Sequence, residues 1–122
     1  MGKYTIDFYK DQKGYSQPLE YIQELAGKAD NVKEARIILN KINDYFSMLE
    51  EFGTRAGEPY IKHIEGDIWE LRPRSDRFFF AFRKENIFYI LHYYTKKSQK
   101  MSEKDYRQAL NKLRDLDKRS NQ

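Results

Sequence analysis

The sequence predicts an α+β domain: an antiparallel β-sheet with an N-terminal helical hairpin and a C-terminal helix, in the order β-α-α-β-β-β-β-α. Three observations carry this. A 3.6-residue apolar stripe runs from about Asn31 to Phe52, four strand-like runs follow between Pro59 and Tyr94 with very short turns, and a final amphipathic run covers Ser102 to Arg119. With 122 residues the chain suits one domain around one core. That domain is expected at 1–119, with 120–122 a frayed tail.

Each element has a local reason. "KYTIDFY" sets Tyr4, Ile6 and Phe8 against Lys3, Thr5 and Asp7, the alternation of a half-buried strand. "KDQKG" then turns the chain. In "SQPLEYIQELA", Ser16 is placed to cap a helix, Pro18 sits in its first turn, and Leu19, Ile22 and Leu25 share a face. After Gly27 the longer helix aligns Ala35, Ile38, Leu39, Ile42, Phe46 and Leu49, and Gly53 ends it. The two helices read as a hairpin laid on a flat surface. "PYIKHIE", "DIWELRP", "RFFFAFR" and "NIFYILHYY" supply that surface, and turns as short as "GD", "RSD" and "KEN" make neighbours antiparallel. Ser102 opens the last helix, with Asp105 in a capping-box position.

Composition narrows the function. No window approaches the roughly 18 apolar residues of a membrane span. The opening "MGKYTIDFY" holds no apolar signal segment, which predicts a cytoplasmic protein. The absence of cysteine removes disulfides, thiolate metal sites and cysteine nucleophiles together. Two histidines and no carboxylate cluster of ligand spacing leave little to hold a metal, and the scattered glycines form no phosphate-cradling loop. No cofactor is expected.

The charge is unevenly spread. Between Arg72 and Lys100 stand eight Lys/Arg against Asp76 and Glu85, so that window is +6 and the rest of the chain, from a total of +4, is −2. Such asymmetry suits a nucleic-acid binder, and equally a surface that meets an acidic protein. Strand alternation sorts the charges by face. In "DRFFFAFR", Arg77, Phe79, Ala81 and Arg83 share one side and Phe78, Phe80 and Phe82 the other; in "IWELR", Ile68, Glu70 and Arg72 lie opposite Trp69 and Leu71. With the phenylalanines and Trp69 packed on the helices, Arg72, Arg77 and Arg83 are expected to face outward. Lys96, Lys97 and Lys100 crowd the end of the last strand. A sheet of this kind grips phosphates through guanidinium forks. It can also cleave RNA, which carries its own nucleophile. The reaction needs an acceptor for the 2′-OH proton, a cation facing the pentavalent phosphorane, and an acid for the 5′ oxygen. Arginine fills the second role, and a lysine crowded by cations can move a proton. His92, in parity with Phe88, Ile90 and Tyr94, reads either as a satisfied half-buried histidine or as a general acid/base. His63 reads as incidental.

The set "WELRP", "RFFFAF", "ILHYYTKKSQK" and "YRQAL" resembles the RelE/HigB superfamily of toxins from toxin–antitoxin systems, nearest its phage-derived Gp49-like HigB branch. The likeness covers nearly the whole chain. It implies a RelE-like sheet with helices packed on it and a metal-independent mRNA endoribonuclease, on or off the ribosome. It also implies a HigA-like helix-turn-helix antitoxin as partner, with operator DNA reached only through the toxin–antitoxin complex. By the same resemblance Arg77, with Arg72 beside it, matches the phosphate-stabilising arginine, and Lys96 and Lys97 match the basic residues after the last strand. Tyr106 matches a tyrosine early in the final helix. His92 completes the catalytic candidates, and Arg74, Arg83 and Lys100 are the candidate RNA contacts. The chain departs from the best-known RelE pattern in having lysines where arginine often stands and in a longer loop before the helix. Two other readings keep the same surface: a ParE-like gyrase poison on the same fold, and a non-catalytic RNA-binding module whose affinity falls steeply with salt.

Overall fold

The computed structural model describes residues 2–120. The chain runs β1 (Thr5–Phe8), α1 (Gln17–Lys28), α2 (Lys33–Phe52), β2 (Ile61–Glu65), β3 (Ile68–Leu71), β4 (Asp76–Arg83), β5 (Ile87–Thr95) and α3 (Glu103–Ser120). Residue 120 closes the last turn of α3, and the rest of the expected tail lies outside the described residues. The expected caps are in place. Ser16 Oγ accepts from the Leu19 amide at 3.3 Å, and Ser102 Oγ accepts from the Asp105 amide at 3.2 Å. Gly53 ends α2 at φ 60°, where an added Cβ would meet the Tyr4 ring at 2.8 Å.

The sheet order is β1-β5-β4-β3-β2. β2 through β5 form the expected antiparallel meander, and β1 adds to β5 in parallel, so the sheet is mixed. A strand followed by two helices returns to the same edge only after the meander has been laid down, and parallel pairing is what such a long connection permits.

One face of the sheet receives the α1–α2 hairpin. Leu25, Ala35, Ile42 and Leu49 pack there on Leu71, Phe78, Phe80, Phe88 and Ile90. The other face is also covered, which corrects the outward-facing sheet expected from strand parity. Ala109 and Leu113 of α3 bury Phe79, Ala81 and Leu91, all three fully excluded from solvent. Burying both faces explains why β4 is a nearly continuous apolar run. Two further details depart from the expectation. Phe82 is 42% exposed although its neighbours of like parity are core, because it lies toward the end of β4, where its ring meets those of Tyr4 and Phe88. Trp69 is half-buried at the rim of the core, tilted against His63 at 4.8 Å. Among the described residues no helix is long and apolar enough to cross a membrane.

β5 carries the irregularity that matters most for function. Phe79 pairs with His92 but Phe80 pairs with Ile90, so Leu91 is an extra residue on β5. Before the bulge Phe88 and Ile90 face the hairpin; after it Tyr93 does, while Leu91, His92 and Tyr94 turn to α3. The parity argument that put His92 with Phe88 and Ile90 fails at this residue, because one inserted residue exchanges the faces.

Candidate active site

Register places two rows of side chains on the α3 face. Glu70, Phe79 and His92 pair across β3, β4 and β5 in one row. In the next, Arg77 pairs with Tyr94, and Arg72 stands one residue beyond the Leu71–Phe78 pair. The rows lie at the sheet end where α3 begins, so its first turn and the preceding loop wall them in. The centre is Glu70, only 3% exposed. Its Oε1 lies 3.6 Å from Arg72 Nε and 3.9 Å from Arg77 Nε, and its Oε2 accepts from the Tyr94 hydroxyl at 3.1 Å.

A buried carboxylate needs opposite charge, and two arginines supply more than it consumes. Two guanidinium groups less one carboxylate leave the cluster formally +1. Both Nε donors are buried and lack a hydrogen-bond partner among the described residues, since the contacts to Glu70 are too long to be hydrogen bonds. Arg77 is fixed by its Nη1, which donates to the Arg74 and Asp76 carbonyls at 2.8 and 2.9 Å. Burial first, and repulsion from Arg72 second, push its guanidinium below the ordinary arginine range, while Glu70, Tyr94 and Asp76 work against that. An anion placed beside the two arginines would relieve the repulsion between them. Tyr94 adjoins a 580 Å³ cleft whose wall includes Lys97, Lys100, Met101, Ser102 and Asp105. The lysine loop is thus one wall of a cleft that touches the arginine cluster through Tyr94, whose hydroxyl bonds Glu70.

The sequence-derived candidates divide accordingly. Arg72 and Arg77 meet at Glu70, and Lys97 and Lys100 line the cleft. Lys96 is half-buried, its backbone amide bonded to the Ser75 carbonyl at 2.8 Å, and it is not part of the cleft wall. Tyr106 lies edge-on to Phe79 at 6.0 Å, with its hydroxyl donating to Glu65 at 3.3 Å, and is not part of the cleft wall. Arg74 turns away to Glu34 of α2 at 3.3 Å. Arg83 sits at the opposite end of β4 and is held by both carboxylate oxygens of Asp117 at 2.8 Å. Sequence reasoning missed Glu70 and Tyr94. Their signal was present: Glu70 stands two residues before Arg72 on one strand face, and Tyr94 two after His92.

His92 is 3% exposed, and both its nitrogens are used. Nε2 meets Asp105 Oδ1 at 2.7 Å and Nδ1 meets Lys112 Nζ at 2.7 Å. Because the lysine donates to Nδ1, the ring proton sits on Nε2 and is donated to Asp105. Burial holds the imidazole below its usual range; Asp105 raises it and the Lys112 charge lowers it again. The neutral ring therefore joins β5 to α3. Asp105 also accepts from Ser102 Oγ at 2.6 Å, so the chain of bonds ends in the cleft wall. Among the described residues no group of three or more His, Asp or Glu is gathered with metal-binding geometry.

These groups fix a pH dependence of stability. Burial brings Lys112 down from 10.5 to about 8. Between those values the unfolded chain binds more protons than the folded one, so stability rises with pH. Burial, then Glu70, raises Tyr94 from 10.0 to about 12, and Tyr21 is raised by burial and Asp76. A raised tyrosine works the other way: its contribution is complete below 10.0 and is lost as pH climbs through about 12. Urea unfolding should therefore show stability climbing above pH ~8, peaking near pH ~10 and then falling by on the order of 2 kcal/mol per buried tyrosine. Tyr94→Phe should flatten the falling limb; an unchanged limb would contradict the assigned burial.

Residues 32–114 match the family model described as phage derived protein Gp49-like (DUF891). No curated protein matches the chain.

Proposed function

The chain belongs to the Gp49-like family of phage-derived proteins, within the RelE/HigB-type toxin group, and from that premise we propose that it is a HigB-type endoribonuclease, cutting mRNA by attack of the RNA's own 2′-OH without a metal. The family makes it the toxin of a toxin–antitoxin pair, with an antitoxin as partner. The finer reading makes that antitoxin HigA-like, a helix-turn-helix protein through which alone the complex reaches operator DNA.

The observation that carries the reading is the convergence of Arg72 and Arg77 on one buried carboxylate beside a lysine-lined cleft. A phosphorane gathers negative charge on its non-bridging oxygens, and fixed guanidinium donors in a dry setting stabilise it without reorganising. Glu70 holds the two arginines side by side. Through the Tyr94 hydroxyl, which donates to Glu70, it is also the acceptor for the 2′ proton: tyrosine receives one proton as it passes its own to the carboxylate. In this reading Lys97 and Lys100, which line the cleft, seat the flanking phosphates, and the Lys97 ammonium protonates the leaving 5′ oxygen. His92, buried and engaged on both sides, acts as a positioning residue. Tyr106, edge-on to Phe79, is the ring on which a base stacks.

The test is incubation of the purified chain with a defined RNA in EDTA, with and without ribosomes, and mapping of the cut ends. The expected products carry 2′,3′-cyclic phosphate, persist in Arg83→Ala, and vanish in Arg77→Ala. Intact RNA under both conditions would overturn the nuclease assignment. A DNA-damage response in arrested cells would then favour a gyrase poison.

A further inference from the structure

The chain of bonds behind His92 has the layout of an activated nucleophile. Lys112 Nζ, His92 and Asp105 are joined by two contacts of 2.7 Å: an amine against a neutral imidazole nitrogen, and that imidazole oriented through its other nitrogen by a carboxylate. Nucleophile, base and orienting acid within hydrogen-bond reach is the arrangement found where serine, cysteine or amine groups attack carbonyl carbon. The sequence builds it on one helix face. Asp105 and Lys112 are two turns apart on α3, with Ala109 between them, small enough for the helix to lie against β5 and bracket His92.

The amine also has somewhere to receive a substrate. Lys112 and His92 line a 290 Å³ cavity with Tyr9, Asp11, Tyr15, Gln17 and Gln108, distinct from the cleft beside Tyr94. Several of its polar groups are already committed. Gln17 bonds the Tyr93 backbone through both amide atoms, and the Tyr9 hydroxyl donates to Asp115. Asp11 Oδ1 accepts from the Lys13 and Tyr15 amides, which among the described residues leaves at the wall the Lys112 amine, the Gln108 amide, the Tyr15 hydroxyl and the second Asp11 oxygen, whose charge favours the protonated amine.

We propose that Lys112 is an acylation site, at which a small activated acyl donor such as an acyl phosphate transfers its acyl group to Nζ. The nitrogen attacks the carbonyl carbon and forms the N–C bond. The C–O bond to phosphate breaks, phosphate departs with the electron pair, and the amine proton passes to His92 Nδ1, where Asp105 faces the resulting imidazolium. No oxidant or reductant is needed. Burial that lowers the amine to about 8 leaves a minor but reactive fraction of it unprotonated at pH 7.5, which supports the same assignment. The product amide has lost the charge and two of the donors that lysine offered to His92. Acylation therefore loosens the tie that runs through Asp105 and Ser102 to the lysine-lined cleft. This site stands whether or not the chain cleaves RNA.

The experiment is to incubate the folded chain with acetyl phosphate at pH 7.5 and follow acetylation of every lysine by peptide mass spectrometry. Lys112 should be acetylated about 10-fold faster than the typical surface lysine. That preference should disappear in urea and fall about 10-fold in Asp105→Asn, which keeps the shape of the side chain but weakens its hold on an imidazolium. A folded-state rate at Lys112 no higher than at the surface lysines would overturn the proposal. So would a preference that survives unfolding, or an Asp105→Asn rate equal to wild type.

Discussion

Arg77→Ala should reduce RNA cleavage by at least about 100-fold, the usual loss when a preorganised donor to a developing oxyanion is removed. Its position argues for the largest effect of any single replacement in the cluster. The side chain is 11% exposed, its Nη1 is tied to two backbone carbonyls, and its Nε is buried without a partner. The charge is thus held in place before substrate arrives. Arg72→Ala should cost less, because Arg72 is more exposed, at 21%, and divides itself between Glu70 and Glu58. The double variant should be little worse than Arg77→Ala alone, since groups that act on one charge are not additive. Single-turnover cleavage of a short RNA measures all three, and Arg77→Ala with near wild-type turnover would remove this cluster from the mechanism. Thermal unfolding should barely separate Arg77→Ala from the parent, because the change also relieves repulsion from Arg72.

Glu70→Ala should do the opposite in kind: it should damage the fold as well as the activity. Removing the carboxylate leaves two largely buried guanidinium groups side by side and takes away the Tyr94 hydroxyl's acceptor. Breaking a buried ionic group this way costs about 3 to 5 kcal/mol, which in a domain of this size lowers Tm by roughly 10 °C or more. The contrast with Arg77→Ala is the diagnostic feature. A double-mutant cycle should show Glu70→Ala/Arg77→Ala clearly less destabilised than the sum of the two single changes. Calorimetry of the four proteins measures it. A Glu70→Ala variant as stable as the parent would mean that Glu70 does not balance the arginines.

Together the two replacements separate what the cluster does for the fold from what it does for a phosphate. A carboxylate needed for stability, beside cations needed for turnover, is the pattern expected where a protein keeps excess positive charge in a dry place for a substrate. Arg83 shows the alternative. At the other end of the same strand, its guanidinium is matched by Asp117 with Asp67 nearby, and side-chain bonding to Asp117 raises it above the usual range. It is a structural ion pair between β4 and α3.

The sequence by itself determined the elements and much of their chemistry. Periodicity placed both hairpin helices, Ser16 and Ser102 marked helix starts that carry real capping bonds, and short turns required the antiparallel meander from β2 to β5. It also brought Arg72, Arg77 and the lysine loop to one end of the sheet. These are local matters, decided by side-chain period, backbone preference and turn length. What only the tertiary structure decided was which groups are dry and which are paired. Alternation says that Arg77 and Phe79 share a face, but not that α3 covers it, because no residue of β4 records what will pack there from thirty residues further on. It aligns Glu70 with Arg72, but burial of that carboxylate depends on Arg77 and Tyr94 arriving from two other strands. The bulge at Leu91 reverses the face of His92, and nothing in "ILHYY" announces it. A one-residue slip costs the local pattern little and changes every partner downstream, so the contacts that give these residues their chemistry are fixed by long-range packing.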